Sequence, residues 1–329
     1  MEFRKIVKIE DQSFGIGYDN RILSLGSCFA DHIGSKLKEA KLSVCSNPFG
    51  VLYNPLSVLR ALNAVADPVK LTLADLIEHH GLFHSFAFHS AYSDQTPEKA
   101  LMRMNGALME GADCYTECDR LLITFGTAWV YELAGTGAVV SNCHKLPAKE
   151  FNRRRLSVSE ITQSWAAFLT SFAETHPGAK VVFTVSPIRH WKDGAFENQC
   201  SKATLILAID ELCRQFPFCT YFPSYEIFMD ELRDYRFYAE DMIHPSAQGI
   251  EYVWERFGDT FFSLQTKEDM REWDKLRKML QHRSLSGMSD SYKNFLRENL
   301  RRMEQFTQKR PYFDLILELQ QLKELCNTL

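Results

Sequence analysis

Up to about Phe262 the chain alternates two hydrophobic patterns. Short, nearly continuous apolar runs occur at Arg21–Leu25, Arg120–Phe125 ("RLLITF") and Lys180–Ser186 ("KVVFTVS"), and "CTYFPSYEIF" from Cys219 has the same character. Runs of this length, rich in β-formers, predict strands buried on both faces. Helical patterns lie between them over Asp31–Ala40, Pro55–Val65, Ser157–Thr175 and Gln199–Gln215. Strand and helix in alternation predict a parallel sheet with helices on both faces. Leu71–Tyr92 and the stretch after Tyr131 break this rhythm. Both read as insertions at strand ends, where such folds place their chemistry.

From about Gln265 the pattern changes. "TKEDMREWDKLRKMLQHR" is charged and helical, and "SLSGMSDS" reads as a linker. Tyr292, Phe295, Asn299, Met303 and Phe306 then recur at three- and four-residue spacing, the mark of an amphipathic helix. Pro311 punctuates, and "YFDLILELQQLKEL" predicts a last helix. The expected organisation is an α/β domain over residues 1–264 and a C-terminal helical extension over 265–329. The extension carries no chemical motif and is expected to pack on the main domain or on another subunit, which would make a homo-oligomer. There is no internal repeat and no low-complexity tract.

Composition narrows the classes. The chain has 329 residues, 45% of them apolar and 24% charged, the balance of a globular protein with a substantial core. A net charge of −4 gives no reason to expect a nucleic-acid partner. No apolar run approaches the roughly 18 to 20 residues that span a bilayer, so no membrane partner is expected. "MEFRKIVKIEDQSFGIG" has neither an uninterrupted apolar core nor a small-residue cleavage site. The nine cysteines follow no framework spacing, so reduced thiols and a cytoplasmic location are expected.

Two stretches carry the candidate chemistry. In "AEDMIHPSAQG", Asp241 precedes His244 by three residues, on a turn entering a helix whose first turn suits Pro245. A carboxylate so placed can accept from Nδ1–H, fix the tautomer and stabilise the imidazolium formed in catalysis. The plainer reading is a helix-capping Asp beside a surface His. In "LSLGSCFADHIG", Leu23 to Gly34, an apolar run stops at Gly-Ser-Cys and becomes a helix. Ser27 and Cys28 then sit at a helix N-terminus, where backbone N–H groups and the macrodipole favour a thiolate and an oxyanion. The plainer reading is a buried structural cysteine.

"GSCFA" at Gly26–Ala30 resembles the signature of the GSCFA family, itself similar to the SGNH (GDSL-like) hydrolases. "NPFGVLYNP", "FGTAWVYE", "NCHK", "SPIRHWKDGAFENQCSKA", "FPSYEI" and "LRDYRFYAEDMIHPS" extend the resemblance over roughly residues 20–250. It implies a flavodoxin-like three-layer α/β/α domain. Laid on the superfamily's "LGDSI", the chain reads "LGSCF", which puts Cys28 on the nucleophile, with Ser27 as the alternative. The resemblance also implies an oxyanion hole with a Gly and an Asn as donors. Gly50, closing "NPFG", is the natural Gly; the Asn is lacking in "FGTA", where Thr127 or the nearby Asn142 would stand in.

Other candidates follow from position. Arg189 and His190 follow one strand end, and Trp129 and Tyr131 follow another, so all four are expected to ring the substrate crevice. Arg189 would hold an anionic substrate group or pair with Asp193 or Glu197. In "HHGLFHSFAFH", His84 and His89 are expected to line the pocket or serve structure. Neither they nor Cys114 and Cys118 have the ligand spacing of a metal site, and no cofactor is called for. The expectation is an ester or thioester hydrolase acting on a small-molecule or glycan ester through an acyl-enzyme. O-acyl transfer to a sugar or other alcohol is the runner-up, and a non-catalytic scaffold on a degenerate hydrolase fold is the reading from another class.

Overall fold

The computed structural model describes residues 4–281 and 290–327. Five strands form a parallel sheet: β1 (Arg21–Gly26), β2 (Ser43–Ser46), β3 (Arg120–Phe125), β4 (Lys180–Val185) and β5 (Cys219–Phe222), in the order β5-β4-β3-β1-β2. The register sets Leu23 beside Leu121 and Ile123 beside Phe183. Successive residues point to opposite faces, so one strand feeds two cores. Leu121 and Ile123 join one core and Leu122 the other. This is why the sheet is apolar throughout and why helices cover both sides.

On one face pack α2 (Pro55–Ala66), α3 (Pro97–Glu117), α4 (Val158–Thr175) and α5 (Gly194–Gln215). The fully buried Trp165 of α4 anchors them, its indole N–H donating to the Pro55 carbonyl at 3.2 Å. On the other face lie α1 (Cys28–Glu39), α6 (Ala247–Phe261) and the C-terminal helices α7 (Leu264–Gln281), α8 (Asp290–Lys309) and α9 (Ile316–Asn327). The result is a three-layer α/β/α domain with a helical extension.

The extension docks on its own chain. Trp273 donates its indole N–H to the Glu39 carbonyl at 2.7 Å, and Phe313 packs on Tyr18 with ring centroids 4.3 Å apart. The buried Asp269 accepts from Arg310 and Tyr312, each at 2.6 Å, which ties α7 to the segment between α8 and α9. Of the linker read at 284–291, residues 284–289 lie outside the described residues. No helix among the described residues is long and apolar enough to cross a membrane.

Several boundaries differ from the sequence reading, for physical reasons. Helix α1 starts at Cys28, not Asp31, because Ser27 caps it directly. The β5 run ends at Phe222, where Pro223 removes a ladder donor and Ser224–Glu231 turns helical. Pro245 precedes the cap of α6, which is Ser246. Strand β2 and helix α3 escaped the reading: β2 is a four-residue edge strand, and the buried face of α3 is mostly Ala and Gly. The stretch after Tyr131 does extend a strand end, as a three-stranded antiparallel sheet of Trp129–Leu133, Val139–Val140 and Phe151–Arg155 beyond β3. The Leu71–Tyr92 insertion instead follows α2 and forms a hairpin of Ile77–His79 and Leu82–His84.

Candidate active site

The corner between β1 and α1 is built by its residue types. Gly26 has φ +147°, and a Cβ there would lie 2.2 Å from the Thr124 carbonyl oxygen, so only Gly lets the strand turn against β3. The Asn47 side chain braces the corner, its Oδ1 accepting from the Gly26 N–H at 2.8 Å and its Nδ2 donating to Asp31. Ser27 is buried and its Oγ accepts from the Phe29 N–H at 3.3 Å as the helix cap. Cys28 is the first helical residue, partly exposed, with Sγ 3.4 Å from the Tyr53 hydroxyl. Its N–H has no acceptor within the helix and is available to a ligand.

His244 comes from the loop before α6. Asp241 holds it through Oδ2···Nδ1 at 2.5 Å. The other carboxylate oxygen accepts from the His244 and Ile243 N–H groups, each at 2.9 Å. Those two backbone bonds, followed by the bond to the imidazole, hold the Asp241 carboxyl down at about 2. Met242 takes φ +59° to close this turn. The loop is pinned by the Ala239 N–H to the His244 carbonyl and the Ser246 N–H to the Phe237 carbonyl, both 2.7 Å. With Nδ1 committed to Asp241, Nε2 is the nitrogen left for chemistry.

Ser27, Cys28, Tyr53 and His244 all line one cleft of about 550 Å³ at the C-terminal end of the sheet. Thr127, Trp129, Tyr131, Asn142, Arg189, His190 and His89 line it too. Among the described residues no hydrogen bond joins Cys28 to His244; the sulfur's contact is Tyr53. The cleft also takes Ser141, Cys143, Arg153, Trp191 and Lys192, none of which was singled out from the sequence. Most stand on or beside the antiparallel sheet and the loop after β4. Tyr53 was missed although "NPFGVLYNP" contains it; a residue before an Asn-Pro helix start gives no chemical signal of its own.

Two expected site residues stand elsewhere. Gly50 does not line the cleft: its N–H donates to the Asn47 carbonyl at 2.7 Å, and the space a Cβ would need is filled by the His89 side chain. His84 is buried away from the cleft, stacked on His144 at 4.4 Å, with Nδ1 on the Ser93 hydroxyl at 2.6 Å. Thr127 is in place, but its hydroxyl is shared between the Ser201 hydroxyl and the Trp129 N–H, each at 3.1 Å. Asn142 keeps its amide at the cleft, donating to the Ser90 hydroxyl at 3.3 Å.

A buried lysine ties the floor together. Lys202 of α5 is fully buried and donates to the carbonyls of Gly126, after β3, and Ser186, after β4, both at 2.7 Å. Burial, with the Arg189 charge adding to it, pulls its ammonium down to about 7. Three polar atoms of the wall, Trp129 Nε1, Ser141 Oγ and Arg189 Nε, are closed to solvent and have no hydrogen-bond partner among the described residues.

Two histidines make acid stability a test of this packing. Burial pulls both His144 and His190 down to about 4. An unfolded histidine titrates near 6.5. Below that value the unfolded chain binds protons that the folded chain refuses, so the stability present above about pH 6.5 is lost progressively down to about pH 4. By pH 5 the expected loss is about 2 kcal/mol per histidine. Urea melts at about pH 7 and pH 5 should show it, and His144→Gln should shrink the difference; equal slopes in both proteins would exclude this origin.

A search of curated proteins finds no match to the chain. Residues 273–328 match the GSCFA domain protein, C-terminal domain. Residues 21–257, which hold the whole cleft from Cys28 to His244, match the GSCFA family, and the chain belongs to that family.

Proposed function

We propose that the chain is an ester or thioester hydrolase working through an acyl-enzyme on Cys28, in the manner of the SGNH hydrolases. The observation that carries this reading is one cleft shared by a cysteine at a helix N-terminus and a histidine oriented by its own carboxylate. Cys28 is preferred to Ser27, which is buried and accepts from the Phe29 N–H as the helix cap. The nine cysteines are free thiols, which suits a reduced, cytoplasmic setting that keeps the nucleophile competent.

His244 Nε2 takes the Cys28 proton and the sulfur bonds to the carbonyl carbon. The oxyanion is met by the Cys28 N–H and the Tyr53 hydroxyl, which already lies beside the sulfur; Asn142 stands ready with a side-chain amide. Tyr53 thus supplies a donor where the amide of Gly50 is spent and the Asn of "FGTA" is lacking. The intermediate collapses, the bond to the leaving group breaks, and His244 returns the proton to that group. Water, deprotonated by His244, then cleaves the acyl–sulfur bond and regenerates the thiol. An alcohol in place of water would turn the same intermediate into O-acyl transfer.

Incubation with p-nitrophenyl esters should release nitrophenolate and leave the acyl mass on the peptide containing Cys28. Tyr53→Phe should lower kcat by about 10²-fold with little change in KM, the expected effect of one lost oxyanion donor. Absence of both release and adduct across short and medium acyl chains would sink the enzyme reading and favour a scaffold on a degenerate fold.

A further inference from the structure

Arg189 is a cation without a counterion in the cleft. The two carboxylates nearest in sequence are taken: Asp193 pairs with Arg153, and Glu197 with Arg155. Among the described residues Arg189 makes no ion pair, and its Nε has no acceptor. What holds it is a stack, the guanidinium carbon 4.7 Å from the centre of the Trp191 ring. A guanidinium held by its face keeps its in-plane N–H fork for a bidentate oxyanion.

The charge around it agrees. The ionised lining is Arg153, Arg189, Lys192 and Asp193, and one pair cancels. Lys192 donates to the Tyr131 hydroxyl at 3.1 Å, which leaves its charge uncompensated. A chain with a net charge of −4 thus concentrates positive charge in its cleft. A neutral ester gives no reason for that; an anionic one is both steered and held by it.

The position also fits. Arg189, Trp191 and Ile243 form the partition between the cleft and a side pocket of about 140 Å³, lined further by Phe228, Met229, Tyr238, Arg233 and Asp234, the last paired with Arg236. A substrate with its carbonyl at Cys28 and an arm reaching this partition meets the guanidinium.

We infer that the substrate is an ester bearing an oxyanionic group, carboxylate or phosphate, seated on the Arg189 fork with Lys192 completing the positive wall. This rests on the proposed hydrolase for the reacting carbonyl, but the anion site does not need turnover to be seen. The first experiment is calorimetric binding of glutarate and of methyl phosphate to the wild type, Arg189→Leu and Arg189→Lys. Millimolar binding by the wild type, weakened about 10- to 100-fold in Arg189→Leu and less in Arg189→Lys, is expected. The anion bound more tightly names the source. No binding of either anion, or equal binding by wild type and Arg189→Leu, overturns the inference. The second compares p-nitrophenyl hemiglutarate with p-nitrophenyl pentanoate. Wild type should favour the anionic ester by about 10-fold, and Arg189→Leu should lose that preference while still cleaving the neutral ester. Retained preference in Arg189→Leu overturns it. Anion binding without any ester turnover would sink the hydrolase and leave the anion site standing.

Discussion

Alanine in place of Cys28 is expected to lower ester turnover by about 10⁴-fold or more, while alanine in place of Ser27 leaves it within about 3-fold. The asymmetry follows from where the two side chains stand. Ser27 borders the cleft but is buried there as the cap of α1, accepting from the Phe29 N–H. Its loss costs a long, single hydrogen bond, about 0.5 to 2 kcal/mol of helix stability. Cys28 is the more exposed of the two, at the positive end of the helix and in contact with Tyr53. Without it no covalent intermediate forms, and what remains is whatever the oxyanion donors contribute to attack by water. His244→Ala should fall to a similar level, and the double variant Cys28→Ala/His244→Ala no further, as expected of two residues that act as one unit in the proposed mechanism. Steady-state rates on one p-nitrophenyl ester, with fold checked by circular dichroism, decide the matter. An inactive Ser27→Ala beside an active Cys28→Ala would move the attacking atom to the hydroxyl.

How far this site could be read in advance depended on how local its parts are. The Asp241–His244 pair is a three-residue spacing closed by its own turn, so the sequence displays it whole. The corner at Gly26–Cys28 is equally local, a strand, a glycine and a cap. The alternating runs of β1, β3 and β4 likewise made the parallel sheet legible, since burial on both faces leaves them apolar throughout. The proposed oxyanion side was not local. Whether the Gly50 N–H points at a substrate depends on Asn47, which takes φ +46° and accepts it. Composition carries no trace of that hydrogen bond. Arg189 was open to two readings for the same reason: its freedom depends on Arg153 and Arg155, contributed by a distant strand, claiming the carboxylates first.

One signal was present and went unread. The buried face of α5 contains Asn198, Ser201, Lys202, Leu205, Ala208, Ile209 and Leu212, the three- and four-residue spacing of a core stripe. Its first three members are polar. A lysine on such a stripe is expensive unless it is hydrogen-bonded, so its place in the pattern already marked a structural or functional contact. Asn198 accepts from the His190 N–H at 2.9 Å, and Ser201 accepts from the Ala128 N–H at 2.8 Å. The stripe's polar end is therefore the underside of the cleft, fastening the loop after β4 and the loop after β3 to one helix.

Lys202→Met is expected to destabilise the fold by about 2 to 4 kcal/mol and to lower activity beyond what the loss of folded protein explains. Methionine fills nearly the same volume, so the cavity contribution is small. What is lost is a donor to two carbonyls, those of Gly126 and Ser186, which stay buried with no replacement. A compensating gain comes from no longer burying a charge. Burial pulls Lys202 down to about 7, below its usual value near 10.5, so the wild-type fold bears a penalty at neutral pH that eases as pH rises from about 7 to about 10.5. The signs therefore separate. If the two hydrogen bonds dominate, Lys202→Met is less stable at pH 7 and the deficit grows on the alkaline side. If desolvation dominates, the variant equals or exceeds the wild type at pH 7. We expect the first, because both bonds are 2.7 Å and lie along two loops that must be held at a fixed separation. Urea melts at about pH 7 and pH 9 measure the difference directly. Activity adds a second readout: the segment after β3 carries Thr127 and leads into the strand that begins at Trp129, and the loop after β4 carries Arg189 and His190, so slackening their tie should raise KM for an anionic ester as well as lower kcat. A variant as stable and as active as the wild type would mean that the lysine only fills space.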